Sequence, residues 1–563
     1  MQKRFLLTLS LVILTSLSYA QNPKWFKKAL KAQVNVFTFD ADGNLLRSGN
    51  GFYIDESGTA LANFILFKGA SSAKVIDTNG KEHPVSLILG ANSLYDVVKF
   101  KVDTQKKTTP LQIAERAGVK HEQVYIMPYS TSERKQCLND SLFNIQTFGE
   151  DFHYYTLGRN LSEKYVNCPV MTEEGEVLAM IQQPATENTS SQSYAIGVTY
   201  GTSLRIGGLS ASDNDLNAIN ICKALPTDES EATTFVYMAA ASSDSATYQN
   251  YLNAFARQFP QNPNAYTQLA DFHMAHQNYA QAEADITSGL DATDKKAEIY
   301  YAFSKMLYQL NLQPNYKLYK DWDMKKALQM AEEAYKEDAL PLYKFQAGLI
   351  GYALKEYEKA YNDFIMLTTT NMRSADLFLY AAQCKTMLQA DTTEILALQD
   401  SAVACFSKPY VKDAAPSLMA RANTLLLLGR YREAVADLNE YEHLMSAEIT
   451  DKFYYLREQA EIKGRMFQQA IDDIDRAIRM SPKESLYHAE RGSIFYRVGE
   501  LDEAIKSCQK AIELAPNYMD AYRILGICQL AKKERSKGLQ NLQKAADLGD
   551  SIAKDIIKKE GAE

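Results

Sequence analysis

The chain has 563 residues, a formal charge of −8 and seven cysteines. That length is several domains' worth of chain, enough for substantial cores, and the mildly acidic balance with no Lys/Arg run excludes a nucleic-acid face. Cysteines this sparse, with no CxxC spacing, exclude a dense disulfide framework and a zinc signature.

Residues 1–20 open with Lys3 and Arg4, continue through an apolar-rich run and end on Ser18-Tyr19-Ala20. This is the pattern of a signal peptide cut before Gln21, too short for a membrane span. The expectation is an exported chain, periplasmic or extracellular and associated with the cell envelope, with no integral membrane segment after cleavage. In an oxidising compartment Cys137 and Cys168 are the candidate pair, and the odd cysteine count leaves a thiol without an intramolecular bridge.

From 21 to 208 the text alternates apolar and polar residues in short runs. "VNVFTFDADGNLL" predicts two strands around Asp42-Gly43, and "AKVIDTNGKEHPVSLILG" repeats the device at Asn79-Gly80. Such dipeptides favour tight turns, and many short strands indicate a barrel or sandwich. Polar, small-residue text, "GGLSASDNDLN", then predicts a linker over 209–228.

Helical periodicity follows over 229–552. "SLYHAERGSIFYRVGELDEAIKSCQKAIELAPNY" carries Gly492, Phe495, Gly499, Leu501, Ala504, Ala511 and Pro516, and Pro482 precedes Pro516 by one repeat length of about 34 residues. The frame recurs at Tyr266, Leu269, Ala270, Tyr279 and Ala282, at Gly429, Tyr431 and Ala434, and at Ala460, Phe467, Ala470 and Ala477. Small residues let two helices approach, bulky ones fill the gap, and proline ends the second helix. These segments resemble tetratricopeptide repeats, which implies eight or nine helix pairs stacked in a solenoid with a concave protein-binding face. The pairs at 229–262, 296–338 and 374–415 fit least well, and 553–563 reads as a polar tail.

The β region resembles the trypsin-like serine proteases of the Deg/HtrA type. "SGNGFYIDESGTALAN", "LANFILFKGA", "LYDVVKFKVD", "YVNCPVMTEEGEVLAMI" and "SYAIGVTYGTSLRI" follow one another in the order of that family's strands and catalytic loops. The resemblance implies a trypsin-like double barrel, so the fold class is an all-β domain followed by an all-α solenoid. It places the histidine position on Ile65, the aspartate on Asp96 and the nucleophile on Val166, with Asn167 and Cys168 where glycines belong. Isoleucine and valine can neither transfer a proton nor attack a carbonyl. In a measured triad enzyme, losing serine or histidine costs on the order of a millionfold in turnover. A non-enzyme is therefore expected, with no cofactor and no metal.

Cys168 with His153 is the one replacement pair the text offers. The plain alternative makes Cys168 a small buried residue and His153 part of a strand. His273 and His276 share a helix face, but a tight metal site needs further ligands, so packing roles are expected. Trp322, in the insertion "NYKLYKDWDMKKA", reads as core. Tyrosine is abundant, at 35 residues, and suits protein recognition. Tyr455, Gln459 and Tyr496 fall where such repeats face their groove and are the candidate partner contacts.

The reading is an exported, non-catalytic scaffold whose solenoid binds a protein or peptide. A hydrolase using Cys168 and a permanent structural subunit of an envelope assembly are the alternatives.

Overall fold

The computed structural model describes residues 22–130, 137–149, 151–182 and 192–560. The expected signal peptide lies outside the described residues. No helix among them is long and apolar enough to cross a membrane.

The first barrel is built from β1 (Gln33–Phe39), β2 (Leu45–Tyr53), β3 (Thr59–Ala62), β4 (Ser72–Asp77), β5 (Glu82–Asn92) and β6 (Val97–Val102). They close in the order β1-β2-β3-β6-β5-β4. Alternation fills its interior: Val34, Val36, Val75, Val98 and Phe100 are buried, as a pleated strand with one face inward requires. Three of its turns share one chemistry. Asp40 Oδ1 accepts the N–H groups of Asp42 and Asn44, Asp55 Oδ1 those of Ser57 and Thr59, and Asp77 Oδ1 those of Asn79 and Lys81. In each, a glycine three residues after the aspartate takes positive φ (Gly43 82°, Gly58 95°, Gly80 80°). The two hairpins expected at Asp42-Gly43 and Asn79-Gly80 thus form, and the acid that opens the turn fixes them as much as the dipeptide does.

The second barrel comprises β7 (Gln112–Ile113), β8 (Gln123–Ile126), β9 (Leu138–Phe148), β10 (Phe152–Leu157), β11 (Pro169–Met171), β12 (Glu176–Ile181) and β13 (Tyr194–Gly197). The order β11-β8-β9-β10-β13-β12 closes through β12 onto β11, and β7 adds a short parallel strand beside β12. Gly175 carries φ 87°, and a Cβ there would stand 2.4 Å from the Trp25 ring lying over it. The fold class expected from the sequence, a double barrel followed by a helical solenoid, is the one observed.

The expected linker is not a linker. Residues 208–225 pack onto the first barrel, with Leu216, Ile219, Ile221 and Leu225 buried in its core. Their backbone docks on β5: Ile88 N–H donates to Cys222 O (2.8 Å) and Ala224 N–H to Ile88 O (2.9 Å). Polar composition concealed four apolar residues spaced to reach one face. The same core extends to the helices Glu229–Ser242 (α1), Ser245–Gln258 (α2) and Pro263–Ala275 (α3) through Phe235, Leu252, Phe255 and Leu269. With Tyr279–Ala292 (α4) these complete a compact unit ending at Asp294.

The second compact unit, from Lys295 onward, is helical. Its pairs are Lys296–Asn311 (α5) with Met324–Glu337 (α6), Pro341–Ala353 (α7) with Tyr357–Leu367 (α8), and Ala375–Met387 (α9) with Thr392–Val403 (α10). Ala415–Leu427 (α11) with Tyr431–Leu444 (α12), Asp451–Lys463 (α13) with Phe467–Met480 (α14), Ser485–Val498 (α15) with Leu501–Leu514 (α16), and Met519–Ala531 (α17) with Arg535–Asp547 (α18) follow. The expected tail is instead helix α19 (Ser551–Glu560), capped by Asp550, which accepts the N–H groups of Ile552 and Ala553. Its Ile556 and Ile557 pack on Leu542. Successive turns inside the pairs use one left-handed residue, among them Gly429 (φ 73°), Arg465 (60°), Gly499 (87°) and Lys533 (63°). Gly492 is required by close approach: a Cβ there would stand 2.5 Å from Cys508 Sγ on α16. Trp322 is buried against Phe303, as expected.

Candidate functional site

In the β domain Ile65, Asp96 and Val166, the positions expected to correspond to a triad, lie on the helical turn Phe64–Phe67, on the Asn92–Val97 turn and after the short 3-10 turn Glu163–Tyr165. Asp96, at φ 48°, aims its carboxylate back at the first of these: Oδ1 accepts the Ile65 N–H at 2.9 Å, and Oδ2 accepts the Asn63 side-chain amide. The structure therefore brings Asp96 and Ile65 together. The Val166 loop is held from the first barrel by Asn50, whose amide donates to Val166 O (2.7 Å) and Lys164 O (3.1 Å). It is held from the second barrel by Asn167 N–H donating to Ile181 O (2.9 Å). Asn167 sits at φ 66°, the left-handed conformation that glycine adopts more cheaply. Asn63 and Asn167 are both buried with a side-chain oxygen that has no hydrogen-bond partner.

Aromatic rings crowd this region. Tyr95, beside Asp96, stacks on Phe148 (4.5 Å) and meets Tyr200 edge-on (4.7 Å), and Phe152 closes on Tyr200 (5.2 Å). Gln182 donates its amide to Tyr95 O and accepts the Tyr154 hydroxyl at 2.5 Å. Neither Ile65 nor Val166 offers a group that moves a proton.

The two alternative uses of cysteine fail on geometry. Cys137 and Cys168 are both free thiols. Cys137 is held at Asn22 and packs with one apolar cluster, whereas Cys168 lies wholly buried in another, so the candidate pair is not joined. Burial raises the Cys168 thiol's pKa far out of the nucleophile range, and its S–H points to Lys164 O at 3.8 Å. His153 is a β10 residue whose ring stacks over Tyr155 at 6.1 Å.

His273 on α3 and His276, which caps its C-terminus, take structural partners. His273 Nδ1–H donates to Asp285 (2.6 Å) and its Nε2 accepts from the Gln249 amide (3.2 Å). His276 Nδ1–H donates to Phe272 O and its Nε2 accepts from Ser245 (3.0 Å).

In the helical unit a charged network runs through α11 to α17. Arg421 on α11 pairs with both oxygens of Asp437 on α12 (2.8 and 2.7 Å), and Arg457 on α13 does the same with Asp473 on α14 (2.6 and 2.9 Å). Arg491 on α15 meets Ser507 on α16 (2.7 Å), the place Asp437 and Asp473 hold in their pairs, and also Asp475 (2.7 Å). Each arginine stands eight residues before the left-handed residue of its turn, Gly429, Arg465 and Gly499.

Beside Arg457 the balance tips to acid. Glu458 is wholly buried: Oε2 accepts the Gln459 amide at 2.8 Å, and Oε1 has no hydrogen-bond partner. Burial, reinforced by Glu490 and Asp473, pushes its pKa up to about 8 against the Gln459 hydrogen bond and the Arg497 charge. Glu461, also buried, is pushed up to about 8 by burial and Asp473, against Arg457 and Arg476. Glu490 on α15 is raised by burial and by Asp520, and lowered by a hydrogen bond from Gln459. Of the three candidate contacts, the structure thus brings Tyr455 and Gln459 into one cluster with Glu458 and Glu490. Tyr455 lies 5.5 Å from Tyr487 by ring centroids. Tyr496, 39% exposed, sits further along α15. Sequence reading missed Glu458 and Glu490. The signal was available in "YLREQAEIKG", where an ionisable pair interrupts the apolar stripe of a helix.

Comparison with known proteins bears on this unit. Residues 485–518, α15 and α16 with their turns, match the tetratricopeptide repeat model. The E3 ubiquitin-protein ligase CHIP of Arabidopsis thaliana is 36% identical over 87 residues, 16% of this chain and 31% of that protein. The Hsp70-Hsp90 organizing protein of Triticum aestivum is 27% identical over 149 residues, 26% and 23% of the two chains. Hsp70-Hsp90 organizing protein 1 of Glycine max is 22% identical over 227 residues, 38% and 36%. The chain spans about a third or less of these curated relatives' length. Residues 485–518 thus carry a tetratricopeptide repeat, within a helical unit that follows an N-terminal double-barrel domain.

Proposed function

We propose that this chain is an exported, non-catalytic scaffold in which a degenerate trypsin-like domain is joined to a tetratricopeptide unit that binds an extended segment of a partner protein. One observation carries the binding reading: α13, α15 and α17 place Tyr455, Gln459, Glu490 and Asp520 next to one another, half-buried rather than sealed in the core. Rigid aromatic rings with adaptable polar groups suit peptide recognition. The relatives named for organizing Hsp70 and Hsp90 support a role in holding proteins together.

The pseudoprotease reading rests on Asp96. Its carboxylate is committed to the Ile65 N–H and to Asn63, and it has no imidazole to orient. The basic start and apolar run of residues 1–20 support export.

Incubation of the full chain with a complex peptide mixture, followed by mass spectrometry of both retained peptides and new termini, tests the proposal. Retained peptides without new cleavage are expected. New termini that vanish in Cys168→Ala or Asp96→Asn would sink the non-catalytic reading, and the absence of any retained peptide would sink the binding reading.

A further inference from the structure

The face shared by α13, α15 and the start of α17 holds a carboxylate that the protein itself does not neutralise. Glu458 is wholly buried with Oε1 unpartnered. The cations nearby are committed elsewhere or lie at the margin. Arg457 is bound to Asp473 and to Glu442 (2.7 Å). Arg523 is bound to Asp520 and to Asp550 (2.8 Å). Arg497 is exposed and acts on Glu458 and Glu490 through space. A buried ionised carboxylate without a counter-charge is costly, and it is satisfied by a proton or by an incoming cation.

Two tyrosines flank these acids. Tyr455 packs on Tyr487, and Tyr455 and Tyr518 both stand within electrostatic range of Glu490. Tyrosine faces beside carboxylates are the setting in which an ammonium or guanidinium group is held by charge and by the ring quadrupole together. An acidic ligand would meet Glu490 and Asp520 as like charges. Among the described residues no three His, Cys, Asp or Glu side chains converge to hold a metal ion, so the chemistry favours an organic cation.

We propose that this face takes a lysine or arginine side chain of an extended partner peptide, seated at the half-buried Glu490 above the enclosed Glu458 and flanked by Tyr455 and Tyr518. This deepens the protein-binding reading and rests on it. Gln459, which donates to Glu458 and hydrogen-bonds Glu490, links the two carboxylates and orients Glu490.

The test displays a random twelve-residue peptide library to the full chain and measures the selected peptides by fluorescence anisotropy. Lysine or arginine is expected at one enriched position, with affinity falling about tenfold in Glu490→Gln and in Glu458→Gln. Glu490→Lys is expected to shift the enrichment toward acidic peptides. Glu490 and Asp520 are half-buried, so Glu490→Gln and Asp520→Asn keep the test valid if Glu458→Gln unfolds; thermal melts identify that case. Selected peptides with no basic bias, or basic peptides that bind wild type and Glu490→Gln equally, would overturn the inference and leave the binding reading standing. A library from which nothing is retained would overturn both.

Discussion

Two carboxylates mark the contrast between the molecule's regions. Asp96 in the β domain uses both oxygens internally, on the Ile65 N–H and the Asn63 amide, and thereby fixes the turn at Phe64–Phe67. Glu458 in the helical unit uses one oxygen and leaves the other buried without a partner. The first carboxylate is structural. The second stands where the next pair has Gly492, so the repeat frame itself does not call for a carboxylate there. Polar groups retained against stability point to recognition more directly than those that support it.

The comparison is broken most sharply at the ion pairs. Asp473→Ala leaves Arg457 buried and short of its main partner, and is expected to cost about 3–5 kcal/mol, read as a loss of hydrogen-exchange protection across 451–480. Asp96→Ala removes two hydrogen bonds from a partly buried turn and is expected to cost about 1–3 kcal/mol, with protection lost around Ile65 and no change in peptide retention. Were Asp96→Ala to abolish retention, the two regions would share a function and the contrast would fail.

A pH series sharpens it further. Glu458 and Glu461 have folded values of about 8 against 4.5 for the ordinary carboxyl. Between these values the folded state holds protons that the unfolded state has released, so stability falls as pH rises from about 5 through about 8. Urea midpoints of the helical unit should decline over that window, and Glu458→Gln should flatten the slope. The smallest expected effect is at the turn after α13: Arg465→Gly relieves a left-handed non-glycine residue and should stabilise by about 0.5–1 kcal/mol.

Periodicity made much of this legible. The barrel hairpins, the helix pairs from 263 onward and the Gly492 contact follow from local spacing, because a turn, a cap or a close helix approach is encoded within a few residues. Polar composition misled at 208–225 and at 553–560, where a few apolar residues at the right intervals suffice to dock a segment whose average reads as solvent-facing. The aspartates that open the barrel turns are as legible in the sequence as the glycines that close them, since each lies three residues before its glycine.

What the sequence determined by itself is the order of elements and the absence of a proton-transferring side chain at Ile65 and Val166, since residue identity settles chemistry without coordinates. Tertiary structure alone decided which charges meet. Arg457 finds Asp473 on the neighbouring helix and Arg497 remains exposed, while Glu458 is enclosed between α13 and α15 with Glu490 beside it. Whether a carboxylate is solvated, paired or stranded depends on the neighbours that packing supplies, and sequence spacing along one helix does not contain them.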